Sequence, residues 1–159
     1  MNSKDIRSRI RIGVIGGAKA KPGFLSQAFE VGRLIAQSGA ILVCGGLGGV
    51  MEEAARGARN AGGLTIGILP GTQPNDANSH IDVALATGLG YTRNSLVAMN
   101  ADALIAVDGE YGTLSEIAYG RIYGKPVIGL GTWDVKGLVP ASSPEEAVRL
   151  ALEATAARP

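Results

Sequence analysis

The sequence predicts an α/β fold, a three-layer, doubly wound, mostly parallel sheet with helices on both faces. Three observations predict it. Short runs of Val, Ile, Leu and Ala alternate with longer segments of helical period, the pattern of right-handed βαβ crossovers. The apolar mass, 46% of 159 residues, is aliphatic, with aromatics at only 4%, which suits strands covered closely on both faces. Three strands run straight into glycines, at the end of a parallel sheet where ligands usually sit.

Arg11–Ile15 reads as the first strand, ending in Gly16-Gly17. Phe24–Ser38 follows as a helix, with Phe24, Ala28, Val31 and Ile35 on one face and Gly39 as its terminator. Ala40–Cys44 is a second strand ending in Gly45-Gly46, and Val50–Asn60 a second helix. Leu64–Leu69 is strand-like and stops at Pro70-Gly71; a polar loop runs through Ser79 to a fourth strand, Ile81–Ala86. Tyr91–Asn100 is compatible with a helix, and Ala103–Val107 is a fifth strand. A helix is expected from the following loop to Gly124, then the strand Val127–Leu130. Ser143-Pro144-Glu145-Glu146 marks the last helix start, with Ser143 as cap, Pro144 at the first position and Glu146 closing a capping box. The length fits one domain over 1–159, with polar, frayed ends at 1–9 and 156–159.

Fifteen Lys and Arg against fourteen Asp and Glu leave a net charge of +1. No basic stripe supports nucleic-acid binding. No run approaches a membrane span, and 1–9 lacks the apolar segment of a signal peptide, so a cytoplasmic protein is expected. Cys44, the single cysteine, reads as a buried strand thiol. Asp76, His80 and Asp82 lack the spacing of a metal site, so no metal is assigned. With one histidine, no Ser-His-acid triad can be assembled.

Gly16-Gly17, Gly45-Gly46 and Gly109-Glu110-Tyr111-Gly112-Thr113 fall at one sheet edge. Glycine lets a ligand approach the main chain, and the helix starts beyond supply unpaired N–H groups and a positive dipole end. The group predicts a cradle for a phosphate-bearing small molecule. Gly45-Gly46-Leu47-Gly48-Gly49-Val50-Met51-Glu52 is the densest cluster, and Gly48 and Gly49 are its better ligand candidates. Neither G-x-G-x-x-G nor Walker A is present, so no NAD or NTP cofactor is expected.

Arg93 can fork onto a phosphate or carboxylate, and Asn94 can donate and accept one bond each to a base or sugar. Thr113 and Glu116 have two readings. As N-cap and third helical residue they form a capping box, which spacing slightly favours. Alternatively Thr113 binds an oxyanion while Glu116 faces the pocket as an acid, a base or a hydroxyl acceptor. Asp108 and Glu110 would repel a phosphate laid directly over them unless protonated, paired or bridged. Tyr111 and Trp133 line either a cleft or an interface.

These loops, with Arg93-Asn94 and Asp108-Gly109-Glu110-Tyr111-Gly112-Thr113-Leu114-Ser115-Glu116, resemble the Rossmann-like family of the Lonely Guy phosphoribohydrolases. Many members of that family carry the label of possible lysine decarboxylases. The chain looks nearer still to its subgroup related to molybdenum-cofactor carrier proteins. The resemblance covers roughly 11–152. The hydrolases carry P-G-G-x-G-T-x-x-E; here Gly109, Gly112, Thr113 and Glu116 match, while Asp108 replaces the proline and Glu110 a glycine. The resemblance implies that Arg93 and Glu116 help cleave the N-glycosidic bond of a nucleoside 5′-monophosphate, with Gly109, Gly112 and Thr113 holding its phosphate. It also implies self-association as a dimer or tetramer. The decarboxylase label gains no support, because no pyridoxal-phosphate lysine or motif is recognisable.

The expected function is therefore binding of a nucleotide or phosphorylated heterocycle, with catalysis left open. The alternatives are an active nucleoside monophosphate phosphoribohydrolase, a molybdenum-cofactor carrier-like protein, and a structural or regulatory oligomer.

Overall fold

A computed structural model describes residues 3–157. Seven strands form one sheet in the order β4-β3-β2-β1-β5-β6-β7. They are β1 (Arg11–Gly16), β2 (Ile41–Cys44), β3 (Thr65–Leu69), β4 (Val83–Ala86), β5 (Ala103–Val107), β6 (Val127–Leu130) and β7 (Val139–Pro140). All six pairings are parallel. β2, β5 and β6 are buried at every position, which is why they read as unbroken apolar runs rather than alternating ones.

The helices are α1 (Ser3–Ser8), α2 (Pro22–Gln37), α3 (Val50–Asn60), α4 (Asn94–Asn100), α5 (Tyr111–Ile122) and α6 (Pro144–Ala156). One core lies between the sheet and α2, α3 and α6, with Ile12, Val14, Leu42 and Ile105 against Val31, Ile35, Ala54 and Ala151. The other sets Ile15, Ile68, Leu104 and Ala106 against Val97, Ala98 and Ile117 of α4 and α5. The strand order reverses at β1. After β1 the chain passes to α2 on one face, and after β5, beside it, to α5 on the other. A crevice opens at the carboxyl ends of such a pair.

Several elements differ from the sequence reading. Residues 91–93 belong to a 3₁₀ turn, Gly90–Arg93, and α4 starts only at Asn94. β7 was unforeseen, being two residues long and carrying Pro140, which an edge strand tolerates. Where frayed ends were expected, Ser3–Ser8 form a helix, and Arg9 Nε beyond it donates to Gly39 O at 2.5 Å. Residues 1–2 and 158–159 of those ends lie outside the described residues. The α6 box forms with a change of partner. Glu146 N donates to Ser143 Oγ at 3.1 Å, but Glu146 Oε2 accepts from Ser142 N and Oγ, both at 2.7 Å. No described helix is long and apolar enough to cross a membrane.

Candidate functional site

A cavity of ≈ 430 Å³ lies at the β1/β5 reversal, within the usual range for small-molecule sites, about 300–1,000 Å³. The β1 exit gives it Gly16, Gly17, Ala18 and Lys19. The β2 exit contributes Leu47 and Met51, and the 3₁₀ turn with the start of α4 contributes Tyr91, Arg93 and Asn94. The β5 exit and first turns of α5 supply Glu110, Gly112, Thr113 and Glu116.

Glu116 is 5% exposed. Among the described residues nothing hydrogen-bonds to its carboxyl, yet it is not sealed in, because no fully buried polar atom there lacks a partner. Its oxygens therefore face the cavity. Burial pushes its pKa up to about 8, against the lowering influence of Arg93, so at neutral pH it stands mainly as a neutral acid able to donate a hydrogen bond. The capping-box reading fails for a geometric reason. α5 begins at Tyr111 with Glu110 at its N-cap and no side-chain cap, so Thr113 lies inside the helix.

Arg93 is 6% exposed and largely engaged with the protein. Nε donates to Ile68 O at 2.7 Å, one terminal nitrogen to Gly45 O at 3.2 Å and the other to Asn94 Oδ1. The guanidinium thus ties the β3 and β2 exits to the start of α4. Two of its five N–H groups remain for a ligand. Burial lowers its pKa while Glu116 raises it, and no direct ion pair joins the two. Asn94 is committed as well, since its Nδ2 donates to Ser115 Oγ at 3.0 Å and Gly112 O at 3.3 Å.

The remaining residues singled out in the sequence lie outside the cavity lining. A Cβ on Gly45 would meet Arg93 at 2.6 Å and Met51 Sδ at 2.7 Å; one on Gly46 would meet Leu69 at 2.7 Å. Gly48 is unobstructed but off the cavity. Gly49, at φ 66°, presses on the main chain of Gly17 and Ala18 and caps α3. Gly109 lies under the Thr113 side chain. Asp108 has φ 51°, the one positive value among described non-glycine residues. Proline, held near φ −65°, cannot take this conformation, so the loop path differs from one that starts with proline. Tyr111 is exposed, its ring 5.5 Å from that of Trp133. Trp133 itself braces the loop, donating from Nε1 to Glu110 O at 3.2 Å.

Lys19 and Met51 escaped the sequence reading. A lysine two residues past Gly17 was a usable signal for an anion site. Met51, the second residue of α3, left no signal of its own at the end of the glycine cluster, because an apolar residue at a helix start reads as core.

Residues 9–157 match the model of the SLOG cluster4 family. An uncharacterized protein of Archaeoglobus fulgidus is 42% identical over 147 residues, 92% of this chain and 97% of that one. A cytokinin riboside 5′-monophosphate phosphoribohydrolase of Mycobacterium tuberculosis is 33% identical over 119 residues, 69% of this chain; the match spans 63% of the enzyme. The molybdenum cofactor binding protein of Rippkaea orientalis superposes with a TM-score of 0.86 at 39% identity, covering 91% of this chain and 96% of that one.

Proposed function

Because the chain belongs to the SLOG cluster4 family, we propose that it binds a nucleotide or a similarly phosphorylated heterocycle in the β1/β5 cavity. One observation carries the reading: Glu116 is buried, faces the cavity and lacks a protein hydrogen-bond partner. Its oxygens open on the cavity, so a bound polar molecule takes the hydrogen-bonding place that the protein leaves to solvent. Gly17 and Lys19 line the cavity and provide main chain and a cation for a phosphate, while Gly16 beside them packs against Val50 and Val107. The breadth of the likeness favours binding without turnover, since the chain spans 96% of the cofactor-binding relative but only 63% of the hydrolase. Arg93 points the same way, because most of its N–H groups are spent on the protein.

Hydrolysis remains the second reading, carried by the buried Glu116 acid beside Arg93. Protonation of a departing base requires such an acid.

We further infer a dimer or tetramer, in the cytoplasm and without nucleic acid. Val83 and Leu85 pair in register with Ile66 and Ile68, which face the α4–α5 side. At 42% and 50% exposed, they leave that side of β4 uncovered. A parallel sheet is normally covered on both faces, and a second copy supplies the cover. Sedimentation gives the subunit number.

The deciding experiment incubates the protein with nucleoside monophosphates and a phosphorylated pterin, measuring both binding and free base. Saturable binding without base release is expected. Base release lost in folded Arg93→Ala and Glu116→Ala variants would establish the hydrolase instead. No saturable binding of any member would remove the site.

A further inference from the structure

Glu110 carries an uncommitted carboxylate at a rigid position on the cavity wall. Its main chain is extended (φ −102°, ψ −158°), so nothing in the backbone requires glycine there. The loop is held at two points from the segment after β6. Thr132 Oγ1 donates to Asp108 O at 2.6 Å, and Trp133 Nε1 to Glu110 O at 3.2 Å. Among the described residues the Glu110 carboxylate has neither a hydrogen bond nor an ion pair. Lys19, on the β1 exit, likewise has none. Buried Glu116, unpartnered and facing the same cavity, marks this as a built polar site rather than a bare helix start.

A carboxylate accepts hydrogen bonds and repels anions. The anionic end of a ligand therefore belongs at Gly17 and Lys19, and what faces Glu110 must donate. Two adjacent donors suit a carboxylate best, one to each oxygen. We propose that Glu110 is a specificity-determining residue that selects phosphorylated ligands bearing two neighbouring hydrogen-bond donors. A ribose cis-diol and the amino-lactam edge of a guanine-type ring both have this chemistry. The proposal rests on the ligand-binding reading above and adds the rule of selection.

The test titrates wild-type protein and Glu110→Ala with GMP, IMP, 2′-deoxy-GMP and inorganic phosphate. Glu110→Ala is expected to weaken GMP by about 10–100-fold, the range for a lost charge-assisted bond, and to tighten inorganic phosphate. Loss of the Glu110 effect with IMP assigns the amino-lactam edge, and loss with 2′-deoxy-GMP the diol. If all four ligands tighten or weaken by one common factor, Glu110 is only an electrostatic bystander and the proposal falls while the binding site stands. If wild-type protein binds none of them, the proposal falls, and it falls together with the site if the phosphorylated pterin fails to bind as well.

Discussion

The loop after β2 and the loop after β5 both look like ligand cradles, and the structure gives them different tasks. In the first, Gly45, Gly46 and Gly49 lie against Arg93, Leu69 and the Gly17–Ala18 main chain, so protein occupies the space that the missing side chains leave. In the second, a Cβ on Gly112 would have nothing nearer than Asn94 Nδ2 at 3.8 Å. Glu110, Thr113 and Glu116 open on the same cavity. Glycine density reports close approach; it does not report whether protein or ligand approaches.

The contrast breaks most readily at Gly49. Its φ of 66° disfavours any side chain, and a Cβ would collide with the fixed main chain of Gly17 and Ala18. Gly49→Ala is expected to cost roughly 3–5 kcal/mol, combining backbone strain and overpacking. For a chain of this size that is a melting-temperature drop of roughly 10 °C or more. Thermal denaturation checks it, and an unchanged melting temperature would mean that the β2 loop is not a packing element.

Burial sets a second difference, because the β5 side carries the group whose charge the fold resists. The Glu116 pKa rises from 4.5 to about 8 in the fold. The folded chain holds this proton more tightly than the unfolded one, so the stability contribution is complete below pH 4.5. It is lost progressively as pH climbs through about 8. Glu116→Gln is expected to abolish that loss and to exceed wild-type stability at pH 9 by a few kcal/mol at most. Urea titrations at pH 5, 7 and 9 read it. Parallel pH profiles for the two proteins would show that Glu116 ionises without cost and is not the buried acid described here.

The sheet and its open edge were legible because their signals are local. Apolar runs such as Ala103–Val107 report burial on both faces, and Gly39, at φ 82°, ends α2 as its sequence position suggested. Arg93 and Asn94 were legible as residue types but not as partners. Nothing in the sequence says that the guanidinium is met by Ile68 O and Gly45 O, which come from two other strands. The Thr113–Glu116 spacing misled for a related reason. It fits a capping box, but α5 starts three residues earlier, with Glu110 rather than Thr113 at its N-cap, and that start depends on how the β5 loop is held by Thr132 and Trp133. Register within a helix follows from tertiary anchoring as much as from its own first turn.

The smallest stability effect falls at Gly112, where the two loops should differ in sign. Gly112 lies in the first turn of α5 and lacks a positive φ, so alanine suits its backbone. Replacing glycine by alanine in a helix stabilises by up to about 1 kcal/mol. The added methyl would nevertheless project beside Asn94 and Tyr91, both of which line the cavity. A misplaced methyl in a packed site costs about 1–3 kcal/mol, or roughly 5–100-fold in affinity. Gly112→Ala should therefore melt at or slightly above the wild-type temperature while losing affinity for whichever monophosphate binds. Gly46→Ala, at φ 77° and with its Cβ meeting Leu69 at 2.7 Å away from the cavity lining, should melt lower yet retain affinity close to wild type. Equal losses of stability in both variants would mean that the two loops share one task and that the division between them is wrong.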